Sequence, residues 1–238
     1  MYDDENSKVF FYQSVSDSTT QYFLYDLKKA AMLKTYTVAL PGYEIKKIMA
    51  AGNEFYCFAI PTFDNQTHDA PLLVRFGDST TKTELESLPG VSFADEPQVL
   101  VSGDKKKLIL ALTSLNNTEE AGDIIIYDVR TGKLAAHSKG EVGIVRNTFL
   151  LQGGQKFAIL SFNTGFSGKY TRNEALINIY NLHGERLYKH YYSTGSNYRS
   201  SPDYIALSDD KKFLVIAAGN EVFPYYAPEY FLSDILNK

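Results

Sequence analysis

A phrase of Tyr followed by Asp or Asn and then an aliphatic residue returns along this chain at a nearly constant interval. A period of that length constrains the fold more than any local propensity does. The phrase closes Gln21-Tyr22-Phe23-Leu24-Tyr25-Asp26-Leu27, Asp123-Ile124-Ile125-Ile126-Tyr127-Asp128-Val129 and Leu176-Ile177-Asn178-Ile179-Tyr180-Asn181-Leu182. Weaker copies stand at Leu72-Leu73-Val74-Arg75-Phe76-Gly77-Asp78 and Glu229-Tyr230-Phe231-Leu232-Ser233-Asp234-Ile235. The anchors are therefore 25, 76, 127, 180 and 233, spaced by 51, 51, 53 and 53 residues.

Upstream of each anchor after the first lies a short apolar stretch, a small polar turn and a longer apolar stretch. Examples are Val99-Leu100-Val101 turning through Ser102-Gly103-Asp104-Lys105 into Leu108 to Leu112, and Tyr204 to Leu207 turning through Ser208 to Lys211 into Phe213 to Ala217. These are hairpin signals. Downstream comes a fourth alternating stretch, as in Leu134-Ala135-Ala136-His137. Each period thus predicts four short antiparallel strands, A to D. The B and C strands are apolar on consecutive residues, so both of their faces should be covered. A sheet packed on both sides by sheets like itself is a propeller blade. The expected fold is all-β: a β-propeller of four-stranded antiparallel blades, with about five repeats in one domain over 1–238.

The two ends of the chain lack strands in this scheme. It enters at strand B (Val9 to Tyr12) and leaves near strand C of the fifth period, with Pro228 to Lys238 readable as a fifth C strand or as a helix. Three arrangements accommodate these ends: part of a larger ring, a partner chain supplying strands, or a terminal helix capping a smaller ring. The first is favoured.

Composition narrows the partners. Hydrophobic residues make up 44% and charged residues 22%, as in globular chains, and the longest apolar runs stop at about seven residues, short of a span. The net charge of −4 and pI of about 5.6 argue against surfaces built for phosphate backbones or anionic lipid. Neither nucleic acid nor a membrane is an expected partner; a protein is. The single cysteine, Cys57, lies in an apolar run and reads as a buried thiol. With an acidic start and no leader pattern, the expected compartment is cytoplasmic; a periplasmic or secreted chain trimmed of its leader would read the same.

The turns Ser102-Gly103-Asp104-Lys105 and Ser208-Asp209-Asp210-Lys211, with Tyr25-Asp26 and Tyr127-Asp128-Val129-Arg130-Thr131-Gly132-Lys133, resemble those of the WD40-like family of propeller repeats. Members carry a Ser-x-Asp-Gly-Lys turn between A and B and a Trp-Asp or Tyr-Asp phrase ending C. The likeness runs over nearly the whole chain, with two or three good copies. This sequence departs from the family in having no Trp and no Gly-His pair opening a repeat, and in a longer period, which leaves a similarity to lactonase-like bacterial propellers open. Blade packing must then lean on 18 Tyr and 15 Phe. The resemblance implies a non-catalytic interaction scaffold that holds a protein or peptide on its loop face or edge strands. The alternative is a lactonase-like enzyme, or a propeller binding a small ligand or a metal.

In such a fold the B-C loops emerge on the face where ligands bind. Four are long: 61–69, 114–122, 163–172 and 220–228. The first brings together Asp64, His68 and Asp69, a composition that can ligate a divalent cation or support acid-base chemistry, although Asp and His in exposed loops are most often simply solvated. The third holds Lys169, Tyr170 and Arg172 among glycines. It fails the P-loop pattern, because Asn163 stands where the first Gly belongs and Tyr170 where Ser or Thr should follow the lysine. No nucleophile elbow, zinc, redox, dinucleotide or calcium motif is present, so no cofactor, metal or catalytic residue is assigned.

Overall fold

The computed structural model describes residues 2–3, 7–16, 19–51, 54–62, 70–91, 93, 97–113, 122–142, 144–151, 154–167, 170–193, 204–207, 213–218 and 221–226. They form five antiparallel sheets and no helix. The first contains β1 (Tyr2–Asp3), β2 (Lys8–Ser16), β3 (Thr19–Asp26) and β4 (Ala31–Ala39). The second contains β5 (Tyr43–Ala51), β6 (Glu54–Pro61), β7 (Leu72–Phe76) and β8 (Thr80–Glu84). The third contains β9 (Gln98–Val101), β10 (Lys107–Ala111), β11 (Gly122–Asp128) and β12 (Leu134–Val142). The fourth contains β13 (Ile144–Leu150), β14 (Lys156–Ser167), β15 (Tyr170–Asn181) and β16 (Arg186–Ser193). The fifth contains β17 (Tyr204–Leu207), β18 (Phe213–Ala218) and β19 (Glu221–Tyr226). Every sheet is a meander in chain order, as the four-strand period predicts. The chain divides into two compact units, Met1–Phe93 with Asp128–Lys133, and Ala94–Tyr127 with Leu134–Lys238.

The recurring phrase has a mechanical role. In the first, third and fourth sheets its Tyr is the penultimate residue of the third strand and the Asp or Asn the last, and the register to the fourth strand slips by one residue immediately before the Tyr, at Leu24/Tyr25, Ile126/Tyr127 and Ile179/Tyr180. That slip is a β-bulge whose extra residue, Leu33, Ala135 or Leu187, lies on the fourth strand and bends it as it leaves the turn. The next residue closes the turn. The Asp128 Oδ1 accepts from the backbone N–H of Arg130 (3.2 Å) and Thr131 (3.0 Å) and from the Thr131 hydroxyl (2.9 Å). Likewise the Asn181 Oδ1 accepts from the N–H of His183 (2.9 Å) and Glu185 (3.0 Å), and that of Asp26 from Lys29 (3.0 Å). A short side chain bonding the backbone a few residues on is the reason Asp and Asn favour turns. The second sheet reads Phe76-Gly77 instead, and its third and fourth strands pair from Leu72↔Glu84 to Phe76↔Thr80 without a slip.

Two cores are described, one in each unit. In the first unit, Phe10, Tyr22 and Tyr36 of the first sheet meet Phe55 and Phe76 of the second. Phe10 stacks on Phe55 at 4.3 Å with 7° between the planes, and Tyr22 lies 4.4 Å from Phe76. Aromatic area therefore takes the place of tryptophan, as the composition predicts. In the second unit Ile109, Ala111, Ile124 and Ile126 of the third sheet pack on Phe157, Ile159 and Tyr180 of the fourth. The consecutive Ile124, Ile125 and Ile126 are each at most 1% exposed, so both faces of β11 are covered. Burying one such side chain is worth about 1.5–3 kcal/mol.

Three expectations are corrected. The first sheet does not start at strand B, because β1 pairs with β2 at Tyr2↔Val9 and Asp3↔Lys8. The third strand of the fifth sheet is Glu221–Tyr226, earlier than the anchor at 233. A short connection after Ala218 leads straight into it, so part of the expected 220–228 loop is strand; Pro228 to Lys238 lies outside the described residues. Finally, 163–172 is not a loop. Strands β14 and β15 continue through it as a paired ribbon to Ser167↔Tyr170, because Phe166, Tyr170 and Thr171 are strand formers flanking a Gly-X pair suited to a two-residue turn.

The turns after Asp26, Asp128 and Asn181 each contain a residue with positive φ: Ala30 at 49°, Gly132 at 68° and Gly184 at 80°. Only the first carries a Cβ into the left-handed region, and Ala30 is exposed. Ala30→Gly is therefore expected to stabilise the protein by about 0.5–1 kcal/mol in chemical denaturation. A loss of stability would mean that the turn is held differently from its two counterparts.

Candidate functional site

A cleft of about 520 Å³ opens in the first unit where β2 turns into β3 and β4 leads into β5. Those are the B-C and D-A connections of the repeat, the end at which ligands were expected. Its shape follows from local sequence. Leu40-Pro41-Gly42-Tyr43 forms a turn in which the Tyr43 N–H donates to the Leu40 carbonyl at 3.2 Å, with Gly42 at φ 74°. Pro at the second position and a left-handed Gly at the third define a type II turn. The Gly42 carbonyl accepts from the Thr62 N–H (2.9 Å) and hydroxyl (3.3 Å), so the strand end at Pro61 and Thr62 is tied to the lip of the cleft.

The lining is rich in hydroxyls: Tyr12, Ser14, Ser16 and Thr20 from the first sheet, Tyr43 from β5, with Glu44 beside it. Burial, with the nearby Glu84 charge adding to it, raises the Tyr43 phenol above its ordinary range and keeps it neutral. Glu44 is engaged by Lys46 at 2.8 Å. Such a wall offers neutral donors and acceptors. The consecutive-apolar criterion used to find blade strands passed over it; the signal was there in Tyr12-Gln13-Ser14-Val15-Ser16, where polar residues interrupt the apolar run of a B strand.

Asp64, His68, Asp69 and Lys169 lie outside the described residues. Tyr170 and Arg172 are the first and third residues of β15, opposite Ser167 and Gly165. Among the described residues no group of three His, Cys, Asp or Glu side chains is placed to hold a metal. His137 and Asp123 form a pair at 2.9 Å, both largely buried. Cys57 is fully buried on β6, and the Tyr22 hydroxyl donates to its Sγ at 3.6 Å. Burial pushes the thiol from near 9 up to about 12, against a smaller opposing effect of the Tyr22 hydrogen bond.

No family model matches this chain, and no curated protein matches it in sequence. Similar solved structures exist at low identity. Hydrazine synthase of Kuenenia stuttgartiensis superposes with a TM-score of 0.54 at 13% identity, covering 90% of this chain and 59% of that one. Hsv2 of Kluyveromyces lactis gives 0.51 at 14%, covering 95% and 60%. A complex of KlAtg21 with the coiled coil of AgAtg16 gives 0.51 at 11%, covering 94% and 64%. The chain thus spans about three fifths of the length of these structures. Together with the succession of four-stranded meanders, the likeness shows the fold: this is a β-propeller protein.

The buried thiol makes a direct check of the packing between the first two sheets. Cys57 is expected to resist a disulfide reagent at pH 8 in the native protein and to react fully once denaturant is added. Between about 9 and 12 the unfolded thiol is ionised while the folded one is not, so its contribution to stability falls as pH rises through that window. Rapid reaction in the native state would contradict the packing.

Proposed function

We propose that this chain is a non-catalytic interaction module of the WD40-like propeller type that holds a protein or peptide. The observation that carries the reading is the β14–β15 ribbon. Strand β13 follows β14 only as far as Ile144↔Phe162, and β16 follows β15 only from Glu174↔Ser193. Beyond those pairs the two strands continue together through Thr164↔Asn173, Gly165↔Arg172, Phe166↔Thr171 and Ser167↔Tyr170. Among the described residues no strand pairs with either outer edge of this arm. A two-stranded ribbon is marginally stable alone in water, and its open edges and aromatic residues suit it to grip another chain. The neighbouring complex of KlAtg21 with a coiled coil supports the reading at the level of fold.

A second reading, a small-ligand or lactonase-like propeller, is favoured by the hydroxyl-lined cleft and by the fold shared with hydrazine synthase. On that reading Asp64, His68 and Asp69, which follow Thr62 in sequence, would supply the acidic and imidazole groups.

Capture from lysate by the immobilised protein separates the two. Tyr170→Ala with Arg172→Ala is expected to reduce recovery of a specific partner about tenfold while leaving the melting curve in place. Unchanged recovery would remove the arm from partner binding.

A further inference from the structure

Strand pairing gathers three polar side chains on one face of the fourth sheet, around Ile159. Thr148 of β13 and Asn178 of β15 stand opposite Ile159 on its two sides, and Ser161 lies two residues further along β14, opposite Leu176. Residues directly opposite one another, and those two apart on one strand, share a face. Ile159 packs with Phe157 and Tyr180 against Ile109, Ala111, Ile124 and Ile126 of the third sheet, so this face is the one buried between the two sheets. Ser161 and Asn178 are both 0% exposed and Thr148 is 8% exposed. The Ser161 hydroxyl and both ends of the Asn178 carboxamide, Oδ1 and Nδ2, have no hydrogen-bond partner among the described residues.

The repeat does not require polar groups at these positions. Aligned on Phe55↔Phe76 and Phe157↔Tyr180, the second sheet has Val74 where the fourth has Asn178, and Ala59 where it has Ser161. Both Val74 and Ala59 are fully buried. The fourth sheet has therefore exchanged an apolar pair for two side chains that must find partners inside the protein. A buried donor or acceptor left unpaired loses its hydration with nothing in return, and buried polar groups are almost always matched by protein or by ordered water.

We infer that the interface between the third and fourth sheets binds ordered water, one molecule of which bridges the Ser161 hydroxyl and the Asn178 carboxamide. The two residues are diagonal neighbours across β14 and β15 and do not bond each other directly. Water, with two donors and two acceptors, spans such a gap and matches either end of the carboxamide. A second molecule serves the remaining end. Thr148 adds a hydroxyl on the same face, which gives the cluster the several polar contacts that hold internal water in place. Two neutral polar side chains closed off from solvent fit a neutral ligand that both donates and accepts. The site lies beside the β13–β14 pair Ile144↔Phe162, near where the arm begins, but the inference does not depend on what the arm binds.

The test is water–protein NMR on the isotope-labelled chain, with the Asn178 side-chain amide assigned by through-bond correlation. Its protons are expected to show rotating-frame Overhauser cross-peaks to water with the sign of dipolar contact rather than of proton exchange. Unfolding midpoints give a second reading. The double variant Ser161→Ala with Asn178→Val, which places in the fourth sheet the residue pair found at Ala59 and Val74, is expected to be more stable than the two single effects added together allow, because the groups that share the water are removed at once. Absence of a dipolar water contact at Asn178 would overturn the proposal, and so would strict additivity of the two substitutions. The cross-peak on the unmutated protein decides the matter even if a variant folds poorly.

Discussion

An aspartate or asparagine side chain folded back onto its own turn is the interaction on which the repeat depends. Where it is present, at the ends of β3, β11 and β15, it follows a tyrosine, the register slips by one residue and the chain reverses through a left-handed position. Where Gly77 replaces it after Phe76, the two strands stay in register and the bulge is absent. The covariation within one chain ties geometry to residue type more firmly than a single example does. Side-chain oxygens satisfy one donor at Asp26, three at Asp128 and two at Asn181 that the turn cannot satisfy itself, which matters because each turn lies beside a tyrosine that is buried in two of the three sheets.

Once each meander closes in this way, its middle strands present two apolar faces and must be covered twice. The first two sheets solve this with stacked rings and the third and fourth with isoleucines against Phe157 and Tyr180. Polar groups are admitted where they can lock neighbours. Lys34 donates to the carbonyls of Gly77 (2.7 Å) and Asp78 (3.1 Å), and the Tyr36 hydroxyl donates to Gly77 (3.1 Å), so the fourth strand of one sheet holds the last turn of the next. Strand β2 stands outside this economy of burial, and its exposed aromatic residues mark the place where the first sheet departs from the others.

The period and the strand count were legible because the Tyr-Asx phrase and the consecutive aliphatics are local signals with a direct structural cause. The sheets centred on Tyr25, Phe76, Tyr127 and Tyr180 follow them closely. Reading failed where pairing over a distance decided the outcome. The polar, glycine-containing stretch 163–172 reads as loop in composition, yet its alternation lets β14 and β15 continue into a ribbon. The phrase at 229–235 matches the repeat, but the third strand of the fifth sheet forms earlier, where Val222 and Phe223 pair with Ala217 and Ile216. The cleft was only half legible for a related reason: the polar interruption Tyr12-Gln13-Ser14-Val15-Ser16 marks one wall, but Tyr43 joins it from a strand some way off in sequence, and no spacing rule unites the two.

The central claim, that the Asx side chain sets the turn and the turn sets the repeat, is tested most directly by equilibrium unfolding of Asp128→Ala beside Asp128→Asn. The asparagine retains the Oδ1 acceptor, as Asn181 does in the fourth sheet, and is expected to stay within about 0.5 kcal/mol of the parent, while the alanine loses about 1–2 kcal/mol. Equal stability of the alanine variant and the parent, or equal damage from both substitutions, would contradict it.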